Sequence, residues 1–100
     1  MANTLSIAPR AELDMMDAYK WYEARSEGLG HDFLRCMEAR LNLVARAPQL
    51  FRRRGPLHRM AKLDRFPYSL YFIWEENAAH VAVRRVLHLA QDSEAALTPS

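Results

Sequence analysis

The sequence has little cysteine, glycine and proline, and it has no long apolar run. Its single cysteine, Cys36, excludes an internal disulfide and a zinc site of four thiolates, and it fits a reducing cytoplasm. Three glycines and five prolines in 100 residues argue against a fibrous or disordered chain. No apolar run approaches the roughly 18 residues of a membrane span, and residues 1–10 lack the features of a signal peptide. These absences predict one small cytoplasmic domain over residues 1–100, with no membrane partner.

Charge is nearly balanced over the whole chain but is unevenly distributed along it. Fourteen Lys and Arg against twelve Asp and Glu give a net charge of +2. Most of the positive excess lies between residues 52 and 65, where Asp64 is the only carboxylate. The cations of this basic stripe are Arg52, Arg53, Arg54, Arg59, Lys62 and Arg65. Such a stripe suits an acidic protein or a phosphate backbone as a partner, and it is equally consistent with a solvated face.

Two amphipathic helices are predicted in the first half of the chain. A short strand over residues 3–7 precedes Pro9, and apolar residues then recur at three- and four-residue steps from residue 11. A Gly-Leu-Gly segment ends this pattern, and a second helix is expected from about residue 31 to residue 47. Because the linker is short, the two helices should form an antiparallel hairpin. Their core faces hold Met15, Ala18, Tyr19 and Tyr22 in the first helix and Phe33, Met37, Leu41 and Val44 in the second.

The second half of the chain is predicted to form three strands. An irregular basic segment at 57–63 is followed by a strand at 68–74, in which large apolar residues alternate with others, and by a strand at 80–88. The element order is therefore β-α-α-β-β-β. It predicts an α+β fold in which the helix hairpin packs on one face of an antiparallel sheet.

The face of the sheet opposite the hairpin is the expected functional surface. Neighbouring strand residues point to opposite faces, so Arg84 and Arg85 should not share one face. One of these two arginines is then expected on the open face, close to Ser69 and Tyr71 of the adjacent strand.

Several short motifs together resemble one known family. Asp14, Tyr22-Glu23, the Gly-Leu-Gly segment and Phe33-Leu34 are similar to a "D…WYE…GLG..FL" opening, and Ala47-Pro48 precedes the basic strand. The most specific stretch, Arg65 to Phe72, looks like the segment "RFPYsiyY", and Val86-Leu87-His88 and Asp92 follow it. In this order the motifs resemble the RelE/ParE superfamily of toxins from type II toxin–antitoxin (plasmid stabilisation) modules. The resemblance covers about residues 5–94 and agrees with the predicted element order.

The resemblance implies one of two activities on the same fold. RelE-like members cleave mRNA in the ribosomal A site, and ParE-like members poison DNA gyrase. In both groups a cognate antitoxin wraps the toxin and neutralises it. The fold alone does not choose between these activities, so the choice depends on the site residues.

Most of the catalytic positions of RelE-like ribonucleases are not retained. Lys62 matches a second-strand lysine, but Met60, Ser69, Ala90 and Ala96 stand where the resemblance implies another lysine, two arginines and a tyrosine. A histidine can also serve as acid or base, because its ordinary pKa lies near 6.5. If the chain is a metal-independent endoribonuclease, the predicted catalytic residues are therefore Arg59, Lys62, Arg65, Arg84 and His88.

The preferred hypothesis is a ParE-like growth inhibitor that binds gyrase and is neutralised by an antitoxin. The alternatives are a ribosome-dependent mRNA endoribonuclease and a degenerate toxin that only binds its antitoxin. No cofactor or metal is expected, because His31, Asp32 and Cys36 lack the spacing of a metal site. The residues expected to contact antitoxin or target are Arg52, Arg53, Arg54, Ser69, Tyr71 and Arg85.

Overall fold

The computed structural model describes residues 3–91 and 93–97. Within this part of the chain, five strands form one sheet and two long helices form a hairpin. The elements are β1 (Thr4–Ile7), α1 (Pro9–Arg25), α2 (Leu29–Arg46), β2 (Arg53–Arg54), β3 (His58–Lys62), β4 (Tyr68–Glu75), β5 (His80–His88) and α3 (Ser93–Leu97). Asp92, which belongs to the last motif, lies outside the described residues.

The strands are arranged in the order β1-β5-β4-β3-β2. Strands β2 to β5 pair antiparallel, whereas β1 runs parallel to β5. The predicted α+β class, with a helix hairpin on one face of a mainly antiparallel sheet, is confirmed. The parallel direction of β1, the two-residue strand β2 and the helix α3 were not predicted. Side-chain alternation marks a strand but does not encode the direction in which it pairs.

The core lies between the hairpin and the face of the sheet that carries Leu70 and Phe72. Phe33 and Val44 of α2 are fully buried there, and Val83 of β5 meets them from the sheet. These residues follow the predicted periods of about four along the helices and two along the strands, and their burial is the main source of stability.

The turn between α1 and α2 is held by one carboxylate. The two oxygens of Glu23 accept hydrogen bonds from the backbone amides of Gly28 and Gly30, each at 2.9 Å. Gly28 has φ = +88°, a conformation that favours glycine, and it is the residue immediately before α2. The amide of Gly28 is the main cause that lowers the pKa of Glu23, and the Gly30 amide and the nearby His31 act in the same direction. This explains why a glutamate and two glycines occur together in the first motif.

Replacement of Gly30 by alanine is expected to destabilise the fold. A Cβ at this position would lie 2.8 Å from both the ring and the carbonyl oxygen of Tyr19, so α1 and α2 would have to separate. We expect Gly30→Ala to lower the free energy of unfolding by about 1–3 kcal/mol in urea denaturation. An unobstructed helix position would instead gain up to about 1 kcal/mol from the same change. A stabilised variant would therefore contradict the close packing of the two helices.

The Glu23 contacts also predict a dependence of stability on pH. The pKa of this carboxyl is lower in the folded chain than in the unfolded chain, so its contribution is present at neutral pH and is lost as the pH falls through the folded pKa. Glu23→Gln should therefore unfold at lower urea concentration than the wild type at pH 7, and the difference should shrink at about pH 3. Glu27→Gln, which alters an exposed carboxylate beside the same turn, is the matched control and should change little.

The face opposite the hairpin is covered rather than open. Arg54 donates to the hydroxyl of Ser93 at 3.1 Å, and Arg85 donates to the carbonyl of Ala96 at 3.4 Å, so α3 lies over this face. Ser69 is 0% exposed and Tyr71 only 5%. The prediction of an open functional face is therefore wrong, because residues beyond the last predicted strand form a helix that packs on it.

A β-bulge in β5 changes the orientation of its two arginines. Tyr71 pairs with Arg85 and Phe72 pairs with Val83, so Arg84 has no partner in β4. The extra residue interrupts the alternation of side chains. Arg84 and Arg85 consequently line the same shallow cavity, which Ile73 also borders. The prediction that the two arginines point to opposite faces is wrong for this reason.

Candidate functional site

The basic stripe begins at the edge strand β2. The side chains of Arg52, Arg53 and Arg54 are exposed, and Arg53 is paired in the sheet with Arg59. Of the three, only Arg54 has a side-chain hydrogen bond within the described part of the chain, the one to α3. Arginines on a short edge strand discourage the addition of another strand and leave their charges available to an acidic partner.

Arg59 and Lys62 lie on opposite faces of β3. Lys62 pairs with Ser69, on the face that α3 covers, and its own side chain is exposed. Arg59 pairs with Phe72, on the hairpin face, and it donates to the carbonyl oxygen of Phe51 at 2.7 Å. Its guanidinium also lies 5.5 Å from the centre of the Trp74 ring. Arg59 is therefore held by its own chain rather than directed towards Lys62.

Arg65 and His88 are also engaged in local contacts. Arg65 adopts φ = +68° in the loop between β3 and β4, and its guanidinium lies 3.7 Å from Asp32 at the beginning of α2. His88 accepts a hydrogen bond from the amide of Ala90 through Nδ1 at 2.9 Å. Its ring also packs edge-on against Tyr68, with 5.1 Å between the ring centres. These contacts place the arginine beside the helix hairpin and the histidine at the end of the last strand.

Arg84 is exposed, and its positive charge acts on a buried histidine, His58. Burial is the main cause that lowers the pKa of His58, and the positive charge of Arg84 lowers it further. A histidine that stays neutral in this position avoids the repulsion of two cations beneath α3.

The structure does not bring the five RNA-cleaving candidates together. Lys62 lies on the α3 face, whereas His88 pairs with Tyr68 on the hairpin face. General acid–base catalysis requires its groups within hydrogen-bond reach of one reacting centre. In this arrangement the candidates do not form such a centre.

Arg85 is an internal ion-pair residue rather than a free contact. Its guanidinium binds both oxygens of Asp14 on α1, at 2.8 and 3.2 Å, and the Asp14 carboxylate also accepts the backbone amide of Val86 at 2.9 Å. The side chain of Arg85 is only 15% exposed and that of Asp14 only 11%. The bidentate pair therefore joins the first helix to the last strand. The sequence contained both residues, but the distance of 71 positions between them gave no sign of the pairing.

A cleft of about 660 Å³ lies between α1 and the adjoining ends of β4 and β5. Aromatic rings line its walls and two carboxylates lie at its border, and we call it the acidic cleft. Burial raises the pKa of the Tyr68 hydroxyl, and the negative charges of Asp14 and Asp17 raise it further. Its charged and ring-bearing residues are Asp14, Asp17, Trp21, Tyr22, Tyr68 and His88. The sequence did not predict this cleft, because the spacing of apolar residues in the first helix assigned Tyr22 to the core.

The described residues contain neither a helix that could span a membrane nor a cluster of metal-ligating side chains. No helix in residues 3–91 and 93–97 has the length and apolar character needed to span a membrane. In the same residues, no three His, Cys, Asp or Glu side chains are grouped so that they could hold a metal ion.

Comparison with known proteins assigns the chain to a family. A family model described as the ParE toxin of the type II toxin–antitoxin system parDE matches residues 5–93. The chain belongs to the ParE toxin family. It is thus a type II toxin–antitoxin toxin within the RelE/ParE superfamily that the motifs indicated. No curated protein matches the sequence significantly.

Solved structures share the fold of this ParE-family toxin. A chain of the chromosomal ParDE toxin–antitoxin system from P. aeruginosa is 15% identical with a TM-score of 0.73, and the match covers 87% of this chain and 96% of that one. A chain of the RelBE2 toxin–antitoxin complex from Mycobacterium tuberculosis is 16% identical with a TM-score of 0.59, and the match covers 88% and 99%. At these identities the likeness concerns the fold.

Loss of the Asp14 carboxylate is expected to destabilise this ParE-family toxin. Asp14→Ala leaves the guanidinium of Arg85 without its partner in a largely buried position, so we expect a loss of about 3 kcal/mol in urea denaturation. Asp17→Ala removes an exposed carboxylate from the same helix and should change stability by less than about 0.5 kcal/mol. If Asp14→Ala and Arg85→Ala act through this pair, the double variant will lose less than the sum of both single losses. Strict additivity would contradict the coupling.

Proposed function

We propose that the chain is a growth-inhibiting toxin that binds DNA gyrase in the cytoplasm and is neutralised by a cognate antitoxin. Membership of the ParE family supports this proposal most directly, because the matching residues span nearly the whole chain. The structural relatives come from toxin–antitoxin systems, which supports an antitoxin as partner.

The dispersal of the RNA-cleaving candidates supports action by binding rather than by catalysis. Arg59 and Arg65 are occupied by contacts within the chain, and Lys62 and His88 face opposite sides of the sheet. Cleavage by the 2′-hydroxyl of RNA needs a base, an acid and a cation around one phosphate. Binding needs only a complementary surface, and the exposed cations of the basic stripe provide one.

Two assays on the purified toxin test the proposal. We expect it to inhibit DNA supercoiling by gyrase, and we expect primer extension on an mRNA under translation to show no new cuts. New cuts in A-site codons would instead identify an endoribonuclease. Intact message together with unaffected gyrase would indicate a degenerate toxin that retains only antitoxin binding. Either of these results would reject the proposal.

Charge reversal tests the basic stripe as the target contact. Arg52→Glu with Arg53→Glu should raise the toxin concentration needed for half-inhibition of supercoiling at least about tenfold, because two attractive charges become repulsive. Arg10→Glu is the control at the opposite side of the sheet, next to β1, and should have little effect. His88→Ala should also retain full inhibition. Equal inhibition by the double variant and the wild type would exclude the stripe as a contact.

A further inference from the structure

The acidic cleft contains a negative charge without a partner. Both oxygens of Asp14 are bound by Arg85, and one of them also accepts the amide of Val86. The carboxylate of Asp17, one turn further along α1, has no hydrogen-bond or ion-pair partner among the described residues. Asp17 is therefore the one unpaired carboxylate among the described residues of this cleft, in a chain of net charge +2. It would repel a phosphate backbone and attract a cation.

The aromatic walls of the cleft favour a planar cation. Trp21 is 50% exposed, which is unusual for so large an apolar ring. The guanidinium of Arg25 lies 3.6 Å from the centre of the Trp21 ring, so this ring already accommodates one such group from its own chain. A guanidinium can stack on an aromatic ring while its N–H groups bind a carboxylate, and an ammonium group cannot do both with the same geometry.

We propose that the acidic cleft binds an arginine side chain of the antitoxin, whose guanidinium pairs with Asp17 and packs against Trp21 and Tyr68. The inference rests on the proposed function, because that function supplies the antitoxin. Tryptophan, tyrosine and arginine are enriched among the few residues that carry most of the binding energy at a protein interface, and this contact would combine all three. The volume of about 660 Å³ leaves room for the arginine together with its neighbouring backbone.

Proton–nitrogen NMR with Nα-acetylarginine amide as the probe tests the chemistry of the cleft. The chain has two tryptophans, so the indole N–H of Trp21 reports on the cleft and that of Trp74, bound to Asn3, serves as an internal reference. We expect a saturable shift at Trp21 and none at Trp74. Nα-acetylcitrulline amide has a similar shape without the charge and should produce no shift.

Variants of two exposed carboxylates on α1 complete the test. Asp17→Asn should weaken binding of the probe about fivefold, the upper range for an exposed charge pair. Glu12→Gln removes the same charge outside the cleft and should bind as the wild type does. Calorimetry with the antitoxin should show the same contrast between the two variants. The unchanged Trp74 signal verifies that each variant is folded.

The proposal is overturned if the citrulline derivative shifts Trp21 equally, or if Asp17→Asn binds probe and antitoxin as tightly as the wild type does. The probe measurement involves neither gyrase nor growth inhibition. If the probe does not bind, the proposed gyrase inhibition is unaffected. If gyrase is not inhibited, the proposed binding of a guanidinium in the cleft is unaffected. The two failures are therefore distinguishable.

Discussion

The carboxylate of Asp14 connects the two halves of the fold. It binds the guanidinium of Arg85 and caps the backbone amide of Val86, where β5 extends beyond its parallel partner β1. This contact fixes the position of α1 against the last strand, and the acidic cleft lies directly beside it. Because the ion pair is largely buried, its geometry is specific, and an arginine that would otherwise be a surface cation becomes part of the framework.

The short helix α3 determines which charges remain available to a partner. It lies over the face opposite the hairpin and engages Arg54 and Arg85, while Ser69 and Tyr71 are buried beneath that side. Ser69 retains a buried hydroxyl without a hydrogen-bond partner among the described residues. The exposed cations that remain on this face are at the β2 edge, at Lys62 on β3 and on the bulge of β5. A partner attracted by positive charge would meet the sheet at these places rather than across its centre.

The two candidate contact surfaces differ in sign and in position. The basic stripe begins on the edge strand β2, whereas the acidic cleft lies between α1 and the adjoining ends of β4 and β5. A partner that used both would need an acidic segment and an arginine spaced to reach across the sheet. Opposite charges on separate surfaces thus increase the binding specificity of a small toxin, because a misaligned partner would bring its charges against charges of the same sign on the toxin.

The sequence by itself determined the elements whose causes are local. The helix hairpin followed from the repeat of Phe33, Met37 and Val44, and β4 followed from the alternation of large apolar residues with others. Only the tertiary structure decided what depends on contacts between distant residues. These include the parallel pairing of β1 and the ion pair of Asp14 with Arg85. Periodicity shows which side of an element is apolar, but it does not show which distant side chain will lie opposite, since that depends on how all the elements pack.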